Sequence, residues 1–244
     1  MNNRNHRSIV LTRSAALLLG LALALPVTAA KDAACRAGRF LASGQTTAYQ
    51  ADINDGVSGN PVDVPDDGTL KAGAALRYRD NKDGTITDLN TKRTWEKKSD
   101  DDSLHDKDNV YIWSGGNDDT IWDWLNDINT EAGTGFAGHS DWRIPNVREL
   151  QSIINIERSI IKDGQIIPAV APVFNKSCDA GDDILSGSCS GFIYWSSSSY
   201  VLAPSLAWFV NILDGTVIQL GKNFGLNVRA VRDGCDDDDK SLDH

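Results

Sequence analysis

GHSDWRIPNVREL, residues 138–150, packs a Trp, an Arg-Ile-Pro step and a helix start into one short stretch. Pro145 disfavours helical backbone at Ile144, so Asp141–Pro145 reads as an extended entry. Asn146 follows the proline and Glu149 stands three residues later. At that spacing an Asn cap and a Glu can each accept the other's backbone N–H. Leu150, Ile153 and Ile154 then supply one apolar face. The stretch predicts a strand-to-helix corner, with a helix over Val147 to about Ile156. Such a corner either rims a binding site or locks two elements together.

On its N-terminal side, Asp118 or Asp119 can cap a helix over about Thr120 to Ala132. Ile121, Trp124, Leu125 and Ile128 fall at i, i+3, i+4 and i+7 there, and Gly133 and Gly135 end it. Further upstream, Leu76-Arg77-Tyr78-Arg79 reads as a short strand. Asp83-Gly84 is a hairpin turn before the alternating Thr85-Ile86-Thr87. A second turn at Leu89–Lys92 leads into Arg93-Thr94-Trp95-Glu96, completing a small antiparallel meander. On the C-terminal side, Phe192–Ser196, Leu206–Asn211, Thr216–Leu220 and Val228–Val231 read as strands, with a hairpin turn at Asp214-Gly215. Strands, then helices, then strands fit an α+β fold with antiparallel pairing and two main helices.

The first thirty residues stand apart. Arg4, Arg7 and Arg13 precede the apolar run Ala15–Leu25, which is too short to span a bilayer, and small residues follow through Ala30. This is the pattern of a secretory signal peptide over 1–30. Residues 31–75 read as an extended arm, 76–235 as the folded domain and 236–244 as an acidic disordered tail. No later segment is apolar enough to cross a membrane. Loss of the leader removes three Arg and no acids, taking the formal charge from −10 to −13. A chain this acidic does not favour nucleic acid or anionic lipid, and no nucleic-acid partner is expected.

An exported chain with four cysteines predicts disulfides. Three pairings are possible. Cys178 with Cys189 closes a short loop, which leaves Cys35 with Cys235, and this pairing is favoured.

Candidate chemistry is sparse. Gly187-Ser188-Cys189-Ser190-Gly191 has the outline of a nucleophile elbow. It lacks the strand before and helix after that an elbow needs, and a disulfide half explains Cys189 more simply. His105, His139 and His244 show no zinc spacing. His139 lies near Asp141, but a triad needs convergence in space. Asn81-Lys82-Asp83-Gly84 has the middle of a calcium loop without its first and last acids, which Arg79 and Asn90 replace. The acidic runs at Asp100-Asp101-Asp102 and Asp179–Asp183 are the places where calcium could bind weakly. A solvated loop is the default for both, and no cofactor is required. The seven Trp residues carry more information. An exposed Trp face binds sugar rings or peptide side chains, while most Trp side chains build the core. Trp113, in a Gly-rich loop, and Trp122, off the apolar helix face, are the candidate ligand-binding residues.

Several blocks occur in order: Gly44-Gln45-Thr46-Thr47, RYRDNKDGTITDLNTKRTWEKK (77–98), GFAGHSDWRIPNVRELQSI (135–153), YWSSSSY (194–200), AWFVNILDGTV (207–217) and NVRAVR (227–232). Together they resemble the Lcl C-terminal domain family, named for the C-terminal domain of a bacterial collagen-like adhesin. The resemblance implies an exported bacterial protein with a C-type-lectin-like fold. The Trp142–Pro145 corner with Glu149 is also similar to one in the formylglycine-generating sulfatase modifiers, which share that broad fold. The naming adhesin looks like a binder of sulfated glycans and host surfaces that forms trimers, so the resemblance implies a binding role. This sequence departs from that adhesin: it has no collagen-like repeat, and its acidity suits sulfated ligands poorly. It also lacks the calcium–sugar motif of true C-type lectins and the paired active-site cysteines of the sulfatase modifiers.

The sequence thus predicts a non-catalytic exported binding or adhesion module, periplasmic or extracellular, with a glycan or a surface protein as partner. It sets no oligomeric state. The alternatives are a cell-envelope enzyme, in which His139, Asp141 and a Ser or Cys would converge, and a structural envelope protein with Trp113 and Trp122 both buried.

Overall fold

The structure, a computed structural model, describes residues 41–51, 59–61, 65–116, 119–158, 160–162, 165–174 and 193–234. All four cysteines, and with them the predicted disulfides, lie outside the described residues, as do the leader and the acidic tail.

The arm contributes a hairpin, β1 (Tyr49–Ala51) with β2 (Gly59–Pro61), and one helical turn, α1 (Asp67–Leu70). It is tied to the domain. Ile156 donates its N–H to the Ser43 carbonyl at 2.9 Å. The amide and hydroxyl of Thr46 both donate to the Glu157 carboxylate at 3.1 Å.

The predicted meander forms as β3 (Tyr78–Asp80), β4 (Thr85–Asp88) and β5 (Arg93–Glu96). Asp83-Gly84 makes its first turn, with Gly84 at φ +88°, and the Phe136 ring lies 3.0 Å from where a Cβ would sit. A side chain there would meet backbone strain and a tight contact that the ring must shift to relieve. The next elements are β6 (Tyr111–Ile112), α2 (Ile121–Thr130), α3 (Val147–Gln151) and the hairpin β7 (Ile160–Lys162) with β8 (Gln165–Ile167). Then come β9 (Ile193–Ser199), β10 (Leu206–Asn211), β11 (Val217–Gly221), β12 (Gly225–Leu226) and β13 (Val231–Asp233). A four-stranded sheet runs β13-β5-β4-β3, a three-stranded sheet runs β11-β10-β9, and β12 pairs with β6. Among the described residues every strand ladder is antiparallel. The α+β reading with antiparallel pairing holds. No helix among them is long and apolar enough to cross a membrane.

Several strand ends shift by one to three residues from the sequence reading, as in β3 and β9, and three elements differ for an identifiable reason. First, α2 is capped by Thr120 rather than Asp118 or Asp119. Thr120 Oγ1 accepts from the amides of Trp122 and Asp123, and Asp123 accepts from Thr120 N at 3.0 Å. The helix also stops at Thr130, because the chain tightens into a 3-10 turn at Glu131–Gly133 with Ala132 at φ +51°. Second, α3 ends at Gln151, not near Ile156. Ser152 Oγ takes the Glu149 carbonyl at 2.6 Å, and Ile154 leaves to bridge Val170. Third, the last strand starts at Val231 rather than Val228. The Ala230 N–H is taken by the Glu96 carboxylate at 3.0 Å.

The core has two parts. Ile86, Trp95, Leu150, Ile153, Phe174, Tyr194 and Val210 pack beneath α3. Ile121, Trp124, Ile128, Phe136, Trp142, Ile144 and Trp195 pack beneath α2. Asn146 starts α3, with its Oδ1 accepting from Arg148 N at 2.9 Å and Glu149 N at 3.0 Å. Asn146→Ala is therefore expected to lower unfolding free energy by about 1 kcal/mol, while Asn146→Gly costs only a few tenths. Urea denaturation of the two variants checks the difference.

Candidate binding site

The 138–150 corner is a lock. Trp142 is buried, and its Nε1 donates to the Phe136 carbonyl at 2.9 Å. The Asn129 side chain grips the Trp142 backbone on both sides, accepting from N at 2.8 Å and donating to O at 2.9 Å. Arg143 pairs its backbone with Val231 through two 2.9 Å bonds. Its guanidinium reaches Glu149 through two parallel 2.7 Å bonds. Gly135, at φ +83°, lets the loop close on itself: a Cβ there would lie 2.0 Å from the His139 carbonyl. These groups spend their polar atoms on one another.

Trp95, Trp124, Trp142 and Trp195 are core. Trp208 is half-buried, edge-on to Tyr200. The two singled-out residues, Trp113 and Trp122, prove to be neighbours, with ring centroids 4.9 Å apart and planes at 90°. Trp122 is 39% exposed, on the first turn of α2. Trp113 is half-buried rather than exposed, for three reasons. Its Nε1 donates to the Ser196 carbonyl at 2.9 Å. Its backbone N donates to the Lys222 carbonyl at 2.8 Å. The Lys222 ammonium sits 3.7 Å from its ring centroid and donates to Ser199 Oγ at 2.7 Å. Lys222 had no sequence signal; it is a lone lysine in a polar turn, brought to the ring by the β10–β11 register. The result is an aromatic corner: an exposed indole, a second indole bracing it edge-on, and an ammonium and a hydroxyl beside them. An indole face stacks on the C–H face of a sugar or on an apolar side chain, and the ammonium can donate hydrogen bonds.

The other candidates are placed as follows. The Asp141 carboxylate accepts from Arg232 Nε at 2.7 Å, which ties it to β13. Cys189 and Asp179–Asp183 lie outside the described residues. In the acidic loop, the carboxylates of Asp100, Asp106 and Asp108 lie within 4.8 Å of one another. Lys107 already supplies positive charge there, with Nζ 2.9 Å from Asp100 and 2.7 Å from Asp108. Asp106 takes the amides of Asp101, Asp102 and Asp108. The loop is an internally paired turn.

A charged cluster lies in the core between β5, α2 and the last strand. Glu96 is fully buried. Its Oε1 accepts from Lys98 Nζ at 3.0 Å and faces His105 Nδ1 at 2.8 Å, and its Oε2 accepts from Ala230 N at 3.0 Å. The other nitrogen of His105 faces Glu131 at 3.1 Å, and its ring stacks on Phe136 with centroids 3.9 Å apart. Arg229 is buried beside them and donates to the carbonyls of Glu96 and Phe174. Burial opposes the charge on Glu96, but Lys98 and His105 outweigh it and hold the carboxyl at about 2.

The family model of the Lcl C-terminal domain matches residues 84–232, which contain the corner, both helix caps, the charged cluster and the aromatic pair. No curated protein matches the chain.

Proposed function

The chain belongs to the Lcl C-terminal domain family, and from that premise we propose that it is an exported, non-catalytic binding module on a C-type-lectin-like fold. Its ligand, a glycan of the envelope or a host surface, rests on Trp122. The observation that carries this reading is the exposed Trp122 ring braced by Trp113 beside Lys222. A large indole left open at the surface, while four other Trp residues are buried, is the expected signature of a contact residue. Its exposure also counts against a purely structural role, in which both rings would be covered. Export follows from the leader pattern at 1–30.

Intrinsic Trp fluorescence, titrated with neutral and sulfated oligosaccharides with and without calcium, tests the proposal. A saturable change is expected. Trp122→Ala should weaken binding by at least about tenfold, since a central Trp anchor carries a large share of contact energy. The same substitution should change stability by no more than about 1 kcal/mol, because the side chain is not core. A response that survives Trp122→Ala unchanged, or no response to any sugar, sinks the reading.

A further inference from the structure

His105 stands between two carboxylates. Its Nδ1 lies 2.8 Å from Glu96 and its Nε2 lies 3.1 Å from Glu131. A carboxylate is only an acceptor, and a neutral imidazole has only one N–H. Both contacts are hydrogen bonds only when both ring nitrogens carry protons. We propose that His105 is a proton-operated brace, which in its charged form ties the Glu131–Gly133 turn at the end of α2 to β5 and in its neutral form lets that turn go.

The geometry also decides which contact is lost. Glu96 is fully buried, and leaving one of its lone pairs unmet costs more than exposing a group to water. The Glu131 side chain is 38% exposed, so water can replace the ring. The proton that remains therefore stays on Nδ1, facing Glu96. Nε2 then turns a lone pair toward the Glu131 carboxylate, and the two repel. Phe136 under the ring limits how His105 can rotate away.

The surrounding charges fit this arrangement. From β5 and the segment after it, Glu96 and Lys98 face the cluster; from the end of α2, Glu131; and from the C-terminal segment, Arg229. On the loop that carries His105, Asp106 is committed to backbone amides and Lys107 to Asp100 and Asp108. Glu96 keeps Lys98 as its ion partner in either state of His105. Burial disfavours the imidazolium, but Glu96 and then Glu131 outweigh it, and His105 titrates above 6.5. A raised folded value means the brace is fully made below about pH 6.5 and is lost as pH rises through the folded value.

The test is a pH titration of the His105 ring by long-range 1H–15N correlation NMR on the full chain, with His139→Gln used to assign the peaks. Both ring nitrogens are expected to be protonated at pH 6, with a midpoint above the ordinary histidine value of about 6.5. Above that midpoint the Nδ1–H tautomer should dominate, and protection factors at 131–134, from which the intrinsic pH dependence of exchange has been removed, should fall severalfold. Glu131→Gln, a half-exposed change that leaves the core intact, should move the midpoint down. A midpoint at or below that ordinary value, or one indifferent to Glu131→Gln, overturns the proposal; so does an Nε2–H tautomer at high pH.

Discussion

Replacing Glu96 with Gln is expected to remove about 3–5 kcal/mol of stability at pH 7, the usual cost of deleting one partner of a buried ion pair. The amide is nearly the same shape, so the loss is electrostatic. Lys98 Nζ, almost wholly inaccessible, would lose its anion, and burial together with nearby Arg229 already disfavours its charge. Total stability of a domain this size is about 5–15 kcal/mol, so the variant should sit near its threshold. A surface lysine makes the contrast: Lys82, paired with Asp80, is itself open to water, and Lys97 also holds Asp80, so Lys82→Ala should cost less than about 1 kcal/mol. The pair differs from an apolar core in a testable way. Glu96→Leu with Lys98→Met should recover only part of what Glu96→Gln loses: Lys98 is no longer a lone buried charge, but His105 Nδ1 and the Ala230 N–H still lose their acceptor. The pH dependence has a definite sign. The Glu96 carboxyl is held at about 2 against an ordinary 4.5, so its contribution is present above pH 4.5 and disappears as pH falls toward 2. Urea unfolding of both variants across pH 2–7 checks this. A Glu96→Gln loss below about 1 kcal/mol would mean that Lys98 finds water or another anion.

The fold was legible where one short-range rule governs a residue. Asn146 with Glu149, Asp83-Gly84 and Asp214-Gly215 each specify local backbone by their own side chains or by tolerance of positive φ, and each stands where the sequence puts it. The boundaries failed where a distant group took over a backbone amide. Val228–Ala230 has the apolar alternation of a strand, but the Glu96 carboxylate, from far along the chain, claims the Ala230 N–H. Nothing near residue 230 announces that. At the start of α2, two Asp and a Thr in a row could all cap; the choice of Thr120 is set by Asp123 at the reciprocal position, a detail within reach of the sequence. The candidate site was half legible. The exposure of Trp122 follows from its place off the apolar face of α2, whereas its meeting with Trp113 and Lys222 depends on how β6, α2 and the β11–β12 turn come together. The buried charges were not legible. Glu96, Lys98 and His105 read as ordinary polar residues beside a strand and a charged loop, and only the packing of β5 against α2 and the last strand buries them.

Glu149→Ala is expected to cost about 3 kcal/mol, and the way that loss divides decides what the 138–150 corner is for. The Glu149 carboxylate serves three groups. It receives two parallel bonds from Arg143 at 2.7 Å and one from Asn146 N at 2.8 Å, and Arg93 Nε lies 3.0 Å away as an ion partner, though its N–H is not aimed at the oxygen. Burial opposes the charge, and Arg143 outweighs it, so the carboxyl sits below its ordinary value. Its stabilisation is therefore present at neutral pH and is lost as pH falls through that lowered value. About 1 kcal/mol of the total belongs to the reciprocal cap. The rest belongs to the clamp, at the low end for a buried pair because Arg143 is 37% exposed. Glu149→Gln should keep the Asn146 bond and lose the charge, giving an intermediate cost and flattening the acid limb. Arg143→Lys should cost nearly as much as Arg143→Ala, since an ammonium cannot make the two-bond fork. The corner joins α3 to β13 through Arg143 and to β9 through the Ser197 amide on the Pro145 carbonyl at 2.9 Å. If it is a lock, these variants lower the unfolding midpoint yet leave ligand response at Trp122 unchanged at temperatures where they remain folded. If Glu149→Ala instead abolished that response while the midpoint held, the corner would be the rim of the site and the aromatic pair only its neighbour.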